Sequence, residues 1–299
     1  MSVAYNFLPY WKLPLVGERL DGGEQVVGRI TGAVDRIIEE HHLAKERWAA
    51  DAAQSEPPSE PTREQAPFTV LGKMLERSAA EPAKFEHRRV VGNLITLFLA
   101  GADTTSITMT WMLYHVAKDA ALQAELVAEV SPLDMAAASR EGLLCSLPRL
   151  RSLFYECLRV HGPAPFLGFQ NDEAITLAGR TFAPDPSRVF LLLAGYIGQA
   201  AEAEHLGVGP EPGKFDARRW LEPDGSVRSP PPDVVMPFGH GLRLCPGKDL
   251  SMLESLVCVG RVLQVFALGL PSGHPEVGTM SQATQEPDCD VCIGFNPRE

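Results

Sequence analysis

Basic residues are scarce in this chain: 27 lysines and arginines stand against 38 aspartates and glutamates, which gives a net charge of −11 over 299 residues. No stretch of the sequence forms a basic stripe, and a nucleic-acid partner requires one because the protein must neutralise phosphates. The sequence therefore predicts no nucleic-acid partner. The net charge says little about a small-molecule substrate.

Disulfide-framework spacing is also lacking. The cysteines stand at positions 145, 157, 245, 258, 289 and 292, and three of them lie in apolar helical contexts where reduced thiols pack well. This usage favours a reducing compartment. Cys289 and Cys292 have C-x-x-C spacing, but no second pair or nearby histidine cluster completes a zinc site. The alternation from Cys289 to Phe295 is typical of a strand.

The hydropathy pattern of the sequence indicates neither a secretory signal nor a membrane-spanning segment. The stretch from Met1 to Gly17 carries Pro9, Lys12 and Pro14 and has no sustained apolar core after a basic start. The longest apolar stretch, from His87 to Lys118, is interrupted by a polar cluster at its centre, which favours a place inside the protein. We therefore expect neither a signal peptide nor a transmembrane segment in this chain.

Hydrophobic residues make up 45% of the chain and charged residues 22%, so there is material for a large core. We expect one domain over residues 1–299 and no internal repeats. Residues 49–67, rich in Ala, Pro, Glu and Ser, predict a flexible loop. Apolar periodicity predicts mainly helices, at Gly22 to Ala50, Val70 to Ser78, His87 to Lys118, Ala120 to Val130, Leu147 to Val160 and Asp249 to Phe266. Thr176 to Phe182 and Arg188 to Leu193 predict a small hairpin.

The most informative stretch is PFGHGLRLCPG, in which Cys245 stands among glycines, prolines and one arginine. Gly241 and Gly247 remove side chains where backbone must approach a ring system closely, and Pro246 suits the first turn of a following helix. Backbone N–H groups at a helix start favour the thiolate, which is the form that ligates metal. Arg243 can bond a carboxylate. The alternative interpretation is a small buried cysteine beside a turn.

The pattern F-x-x-G-x-R-x-C-x-G in this stretch resembles the cysteine loop of the haem-thiolate monooxygenases, the cytochromes P-450. The matching residues are Phe238, Gly241, Arg243, Cys245 and Gly247. The resemblance implies that Cys245 is the axial haem-iron ligand and that its thiolate favours O–O cleavage. It also implies that Arg243 binds a haem propionate and that Phe238 packs near the sulfur. The implied cofactor is haem b, and the implied fold is mainly α, an incomplete cytochrome P-450-type helical fold with a minor β-hairpin component.

A second signal interrupts the long apolar helix. The run from Ala100 to Thr105, AGADTT, places a helix-weakening glycine, a carboxylate and two β-branched hydroxyl residues in the helix interior. A threonine hydroxyl can bond a carbonyl one turn back, which loosens the helix and opens a polar groove. The alternative is a set of satisfied polar residues in a core helix. The run matches the family's A/G-G-x-D/E-T-T motif, so the resemblance implies that Asp103 and Thr104 relay protons to dioxygen and that Ala100 and Gly101 leave room for substrate.

A third signal is Glu156-Cys157-Leu158-Arg159, whose spacing of three puts both charges on one helix face. The same E-x-x-R spacing occurs twice more in the chain, so an exposed ion pair is the alternative. The resemblance singles out this copy because FDARRW follows it, similar to the family's F-x-P-E-R-W/F stretch. It implies a buried network of Glu156, Arg159 and Arg219 that fixes the cysteine loop. Ala217 and Arg218 depart from that pattern, which puts the outer part of the network in doubt.

The resemblance implies reductive activation of dioxygen with electrons from a reductase or ferredoxin, and insertion of one oxygen atom into a lipophilic substrate. Substrate is expected between the segment Ala100 to Thr104, the segment Pro163 to Leu167 with Ala164 and Phe166, and the turn near Met280, since these surfaces are mostly apolar. Two alternatives stay open: a haem-thiolate isomerase or dehydratase acting on a peroxide, and a non-catalytic fragment that does not hold haem.

The family's long N-terminal portion has no counterpart before the run LPYWKLP at residues 8–14. That portion supplies a Trp/Arg helix for the second propionate, part of the substrate roof and half of the sheet, and often a membrane anchor. The stretch from Phe166 to Gln170 also lacks an arginine where many members bind a propionate. We therefore expect a chain truncated at its N-terminus, with weaker haem retention and membrane association only in a longer form.

Overall fold

The computed structural model describes residues 23–54, 69–135, 139–281 and 284–298. They divide into two compact units, one up to Ala100 and one from Gly101 to Glu299. In the described part, helices predominate and the strands are short and paired in twos. This confirms a mainly α fold with a minor β component. The prediction of one domain stays a prediction.

The first unit is helical. Its elements are α1 (Gly23–Gln54), α2 (Val70–Ala80) and the first part of α3 (His87–Lys118). Their apolar faces meet in a small core whose buried members are Val34, Ile38, Val90, Val91 and Leu94. Val34 and Ile38 are one turn apart on α1, as helical amphipathicity requires. Helix α2 begins where the Thr69 hydroxyl accepts a hydrogen bond from the Gly72 backbone N–H at 2.9 Å.

The predicted loop at residues 49–67 was wrong in its first part. Residues 49–54 continue helix α1, and residues 55–67 lie outside the described residues. Four of the residues from 49 to 54 are alanines, and alanine has the highest helix propensity. The prolines of this stretch begin only at Pro57, beyond the end of the helix.

For helix α3, the expectation that no segment spans a membrane stays a prediction. By length and composition it is long and apolar enough to do so, and 28% of its most apolar window is buried in the structure. At about 1.5 Å per residue its 32 residues exceed a bilayer core. Its last turns instead carry the fully buried side chains Trp111, Met112, Tyr114 and Val116, which pack in the core of the second unit.

The second unit is built around the end of α3 and five further helices. These are α4 (Ala120–Val130), α5 (Arg140–Ser146), α6 (Pro148–His161), α7 (Ala194–Ile197) and α8 (Lys248–Val265), with 3₁₀ turns at Ala201–Glu204 and Gly241–Arg243. Leucines from α4, α6 and α8 fill the core, among them Leu126, Leu153 and Leu256, each fully buried. Burying each contributes about 2 kcal/mol. This core holds the ends of α6 and α8, which carry the candidate site.

Four antiparallel pairs make up the β structure of the described residues. They are β1 (Leu167–Phe169) with β4 (Phe190–Leu192), β2 (Ile175–Leu177) with β3 (Arg180–Phe182), β5 (Phe266–Gly269) with β8 (Gly294–Pro297), and β6 (Thr279–Ser281) with β7 (Gln285–Pro287). The β2–β3 turn has positive φ at Ala178 and Gly179, the geometry of a tight hairpin.

Two strand predictions are corrected. The predicted hairpin joined residues 176–182 to residues 188–193, whereas β2 and β3 pair with each other and β4 pairs with β1. The reason is that two residues suffice to turn the chain at Ala178. The predicted strand from Cys289 to Phe295 is formed only from Gly294 onwards, because β8 pairs with the four residues of β5.

Candidate active site

Cys245 lies in the loop between Pro237 and helix α8, and its side chain is exposed. The loop folds back on itself, because the Cys245 backbone N–H donates to the carbonyl of Phe238 at 2.9 Å. Gly239 and Gly241 have φ of +73° and +61°, a region that side-chain-bearing residues rarely adopt. The glycines therefore make the tight path of the backbone around the sulfur possible.

Helix α8 begins just after the cysteine. Gly247 is its N-cap and Lys248 its first residue, so Pro246 precedes the helix rather than occupying its first turn as predicted. A Cβ at Gly247 would lie 3.7 Å from the Cys245 Sγ. A side chain at Gly247 would stand beside the thiol, and the glycine keeps that approach open.

Apolar side chains around the thiol are exposed to a degree unusual for leucine. Leu242 is 106% exposed, Leu250 61% and Leu244 48%, within eight residues of one another. Arg243 is exposed between them and makes no ion pair within the described ranges. A flat apolar group with a carboxylate edge would cover the leucines and pair the guanidinium. The residues of this loop therefore fit haem with Cys245 as its ligand.

Phe238 is half-buried and packs against the core of the second unit. Its ring stacks on Phe154 of helix α6, with ring centroids 6.4 Å apart and planes inclined by 24°. Since the Phe238 carbonyl accepts the hydrogen bond from Cys245, this stacking anchors the loop to a rigid helix.

The polar segment of α3 keeps a regular helical backbone. The helix runs unbroken from His87 to Lys118, so the predicted loosening is absent from it. The Thr108 hydroxyl donates to the carbonyl of Thr104 at 3.0 Å, and the Ser106 hydroxyl to that of Asp103 at 2.8 Å. These bonds are added to the helical ladder, which explains why the backbone does not open. Asp103 is exposed and Thr104 half-buried.

Two hydrogen bonds join this segment to its neighbours, and a third joins one of those neighbours to the Pro163 segment. The buried Thr105 hydroxyl donates to Ser251 Oγ at 3.3 Å, in the first turn of α8. Thr284, at the turn between β6 and β7, donates to Asp103 Oδ2 at 3.2 Å. The backbone N–H of the next residue, Gln285, donates to the carbonyl of Pro163 at 2.9 Å. The structure thus places the acid–alcohol segment, the start of the cysteine helix, the Pro163 segment and the β6–β7 turn in one neighbourhood.

Sequence reasoning missed Ser251, Thr284 and Glu286. Single hydroxyl and carboxyl residues in a helix and a hairpin have no motif that marks them. Distant partners place Ser251 and Thr284 at the site, and Glu286 joins it through Thr284.

The predicted substrate residues differ in their exposure. Ala100 and Gly101 are exposed on α3, and a Cβ at Gly101 would meet open space. Phe166 is 44% exposed just before β1. Ala164 is half-buried and lines a small crevice with Gly195 and Gly198. Their assignment to substrate stays a prediction.

The structure brings Glu156, Arg159 and Arg219 together in a buried network. The Glu156 carboxylate accepts from Arg159 at 2.9 and 2.6 Å and from Arg219 Nε at 3.0 Å. It also accepts from the backbone of Asp216 at 2.9 Å and from the indole of Trp220 at 3.1 Å. Five donors thus surround the fully buried carboxyl group, and these hydrogen bonds offset the cost of removing it from water.

The two arginines direct their remaining donors at backbone carbonyls. Arg159 donates to Gly198 at 2.8 Å and to Lys214 at 2.9 Å, and Arg219 to Pro210 at 2.7 Å and to Lys214 at 2.8 Å. The network therefore ties helix α6 to the irregular chain from 198 to 220. Its tie to the cysteine loop, implied by the resemblance, stays a prediction.

The two departures from the family pattern are accommodated. Arg218 forms a bidentate pair with Glu125 of helix α4, at 3.0 and 2.9 Å. The carbonyl of Ala217 accepts from the buried Ser152 hydroxyl at 2.7 Å, and that hydroxyl accepts from the Trp220 backbone at 3.2 Å. Arg218 thus finds its partner on another helix rather than in the Glu156 network.

A separate cleft of about 560 Å³ lies at the end of α3. On it, the Nε2 atoms of His115 and His161 are 3.0 Å apart. Trp111 stacks on His161 with centroids 3.6 Å apart, and Phe215 on His115 at 3.5 Å. Burial lowers the pKa of both imidazoles to about 3. The charge of Lys118 adds to the shift of His115, and the charges of His115 and Arg159 add to the shift of His161. Both rings are neutral at pH 7.

Comparison with known proteins identifies the family. Residues 1–292 match the family model described as Cytochrome P450. The chain belongs to the cytochrome P450 family, whose members are haem-binding monooxygenases. Family membership implies a haem cofactor.

Among particular relatives, the chain is 28% identical to "Sterol 26-hydroxylase, mitochondrial" of Oryctolagus cuniculus, over all of this chain and 52% of that protein. It is 29% identical to "25-hydroxyvitamin D-1 alpha hydroxylase, mitochondrial" of Homo sapiens, over 70% of this chain and 40% of that protein. Geraniol 8-hydroxylase of Swertia mussotii is 31% identical over 68% of this chain and 40% of its own length. The chain spans about half the length of the relatives that it matches over all its residues.

Proposed function

We propose that the protein is a haem-thiolate monooxygenase that inserts one oxygen atom from dioxygen into a lipophilic substrate. The observation that carries the proposal is the exposed Cys245 in a glycine-shaped loop with exposed leucines around it. Haem b, held through the Cys245 thiolate and the Arg243 guanidinium, would supply dioxygen activation at this site. Phe238 holds the loop against helix α6.

The polar segment of α3 handles protons in this proposal. Asp103 supplies the acid of the pair, and Thr104 presents a hydroxyl one residue on. Thr105 fixes the segment against α8 through Ser251, so the pair keeps its position relative to the helix that follows the cysteine. Proton transfer by a positioned acid contributes about 10²–10⁴-fold in enzymes.

The substrate proposed is a sterol-like or terpenoid molecule. The relatives' names contain sterol, 25-hydroxyvitamin D and geraniol, all lipophilic. The exposed Phe166 offers matching apolar surface. Two of these relatives are named as mitochondrial proteins. We therefore propose a mitochondrial, membrane-associated location and a ferredoxin-type electron donor.

Lys248 is the basic residue best placed to meet an acidic donor protein, because it is exposed beside the cysteine loop. Two other basic residues of the second unit, Arg149 and Arg151, are engaged elsewhere. Arg149 lies beside Glu129, and Arg151 donates to the carbonyl of Leu144 at 2.8 Å.

The deciding experiment is the carbon-monoxide difference spectrum of the reduced, haem-loaded protein. We expect the band characteristic of thiolate ligation. Cys245→Ala should abolish it, whereas Cys258→Ala, which removes another exposed cysteine, should leave it intact. Persistence of the band in Cys245→Ala would disprove the ligand assignment. Thr104→Ala should keep the band and lower the yield of product per reduced nicotinamide consumed.

A further inference from the structure

Next to Asp103 of helix α3 lie the hydroxyl group of Thr284, just before β7, and the carboxyl group of Glu286 in β7. Thr284 Oγ1 lies 3.2 Å from Asp103 Oδ2 and 2.8 Å from Glu286 Oε1. Each neighbouring pair is within hydrogen-bond distance, so the Thr284 hydroxyl connects the carboxyl group of Glu286 to that of Asp103. Residues 103, 284 and 286 all belong to the second compact unit.

The hairpin itself determines this placement. Thr284 immediately precedes β7 and Glu286 is the second residue of that strand, and the 2.8 Å distance from Thr284 Oγ1 to Glu286 Oε1 puts both side chains on the side opposite Gln285. Gln285 is buried and its backbone N–H donates to Pro163, which pins the strand. The pairing of Ser281 with Gln285 sets the register of the hairpin. The face that carries the threonine and the glutamate is thus directed at Asp103.

We propose that Glu286 and Thr284 form a proton relay that reloads Asp103. The proposal rests on the proposed function, because Asp103 is the acid of that reaction. A hydroxyl has one hydrogen to donate and lone pairs to accept. It therefore bonds two carboxyl groups at once when one of them carries a proton.

The step is balanced. The Glu286 carboxylic acid gives its proton to Thr284 Oγ1 as Thr284 gives its own hydrogen to Asp103 Oδ2. Glu286 is left as a carboxylate, Asp103 becomes a carboxylic acid, and the hydroxyl is regenerated. Glu286 is half-buried at the hairpin and recovers its proton from solvent.

The test compares Thr284→Val, which keeps the shape and removes the hydroxyl, with Thr284→Ser, which retains the hydroxyl. Ser281→Ala is the matched control, since it removes a hydroxyl of the same hairpin that bonds Tyr196 instead. The first measurement is made without haem: infrared spectra of ¹³C-aspartate-labelled protein, with Asp103→Asn identifying the band of Asp103. We expect the band to shift in Thr284→Val and to stay in Thr284→Ser and Ser281→Ala.

The second measurement uses the haem-loaded protein. Thr284→Val and Glu286→Gln should lower product per reduced nicotinamide several-fold and change the solvent isotope effect, with the carbon-monoxide band retained. Thr284→Ser should restore both values. An unchanged infrared band, or an unchanged yield and isotope effect in Thr284→Val, would overturn the relay. Loss of the thiolate band in the unsubstituted protein would instead refute the proposed function, and the infrared result alone would then decide whether the chain of bonds exists.

Discussion

Acid should destabilise the fold through the pair His115 and His161. In the folded protein burial lowers the pKa of each imidazole from 6.5 to about 3. Folding therefore favours the neutral rings, and the unfolded chain binds more protons below pH 6.5. The stability that the pair contributes is fully present above pH 6.5 and is lost as the pH falls towards 3.

The magnitude follows from the distance between the two pKa values. A pH of 5 lies 1.5 units below the pKa of 6.5 of the unfolded histidine, whereas the folded histidine is still neutral. At about 1.4 kcal/mol per unit, this lowers the free energy of unfolding by about 2 kcal/mol per histidine. The pair thus costs up to about 4 kcal/mol, a large part of the 5–15 kcal/mol that typically holds a domain folded. Some ring surface remains exposed at the cleft, so the figure is an upper limit.

The assay is urea unfolding at pH 7, 6 and 5. The double variant His115→Phe/His161→Phe keeps rings to stack on Trp111 and Phe215 but has nothing to titrate. Its free energy of unfolding should fall with pH much less steeply than that of the unsubstituted protein. His205→Phe, at an exposed position, is the control and should retain the slope. Equal slopes in the double variant and the unsubstituted protein would refute the reasoning.

Three further outcomes are expected. Glu156→Gln should lower the free energy of unfolding by about 3–5 kcal/mol, because Arg159 and Arg219 would keep buried charges without a carboxylate. A change under about 1 kcal/mol, measured by urea unfolding, would contradict the network. Ser152→Ala should cost about 1–3 kcal/mol in the same assay, since two buried hydrogen bonds lose their partner. Leu242→Ser should leave the stability of the haem-free protein within about 0.5 kcal/mol yet weaken haem uptake in a titration, and unaltered uptake would show that haem does not cover this leucine.

Helices and motifs were predictable because their signals are local. The apolar periodicity between His87 and Lys118 coincides with the bounds of α3, and Ala120 to Val130 with those of α4. Helix α8 starts one residue before the predicted Asp249, after a glycine N-cap. Short strands were less predictable. The partner of Phe190–Leu192 lies more than twenty residues earlier in the chain, and the residues of the strand do not indicate which segment it pairs with.

The sequence by itself determined the chemistry available: a cysteine in a glycine-shaped loop, an acid and an alcohol in a core helix, and a Glu–Arg pair at helical spacing. These are properties of residues that are close in the chain, and the local backbone conformation is enough to fix where their side chains lie relative to one another. Tertiary structure decided the partners. Only packing gave Arg218 its glutamate and placed Thr284 between Asp103 and Glu286, because hydrogen bonds between residues far apart in the chain depend on how the helices and hairpin meet.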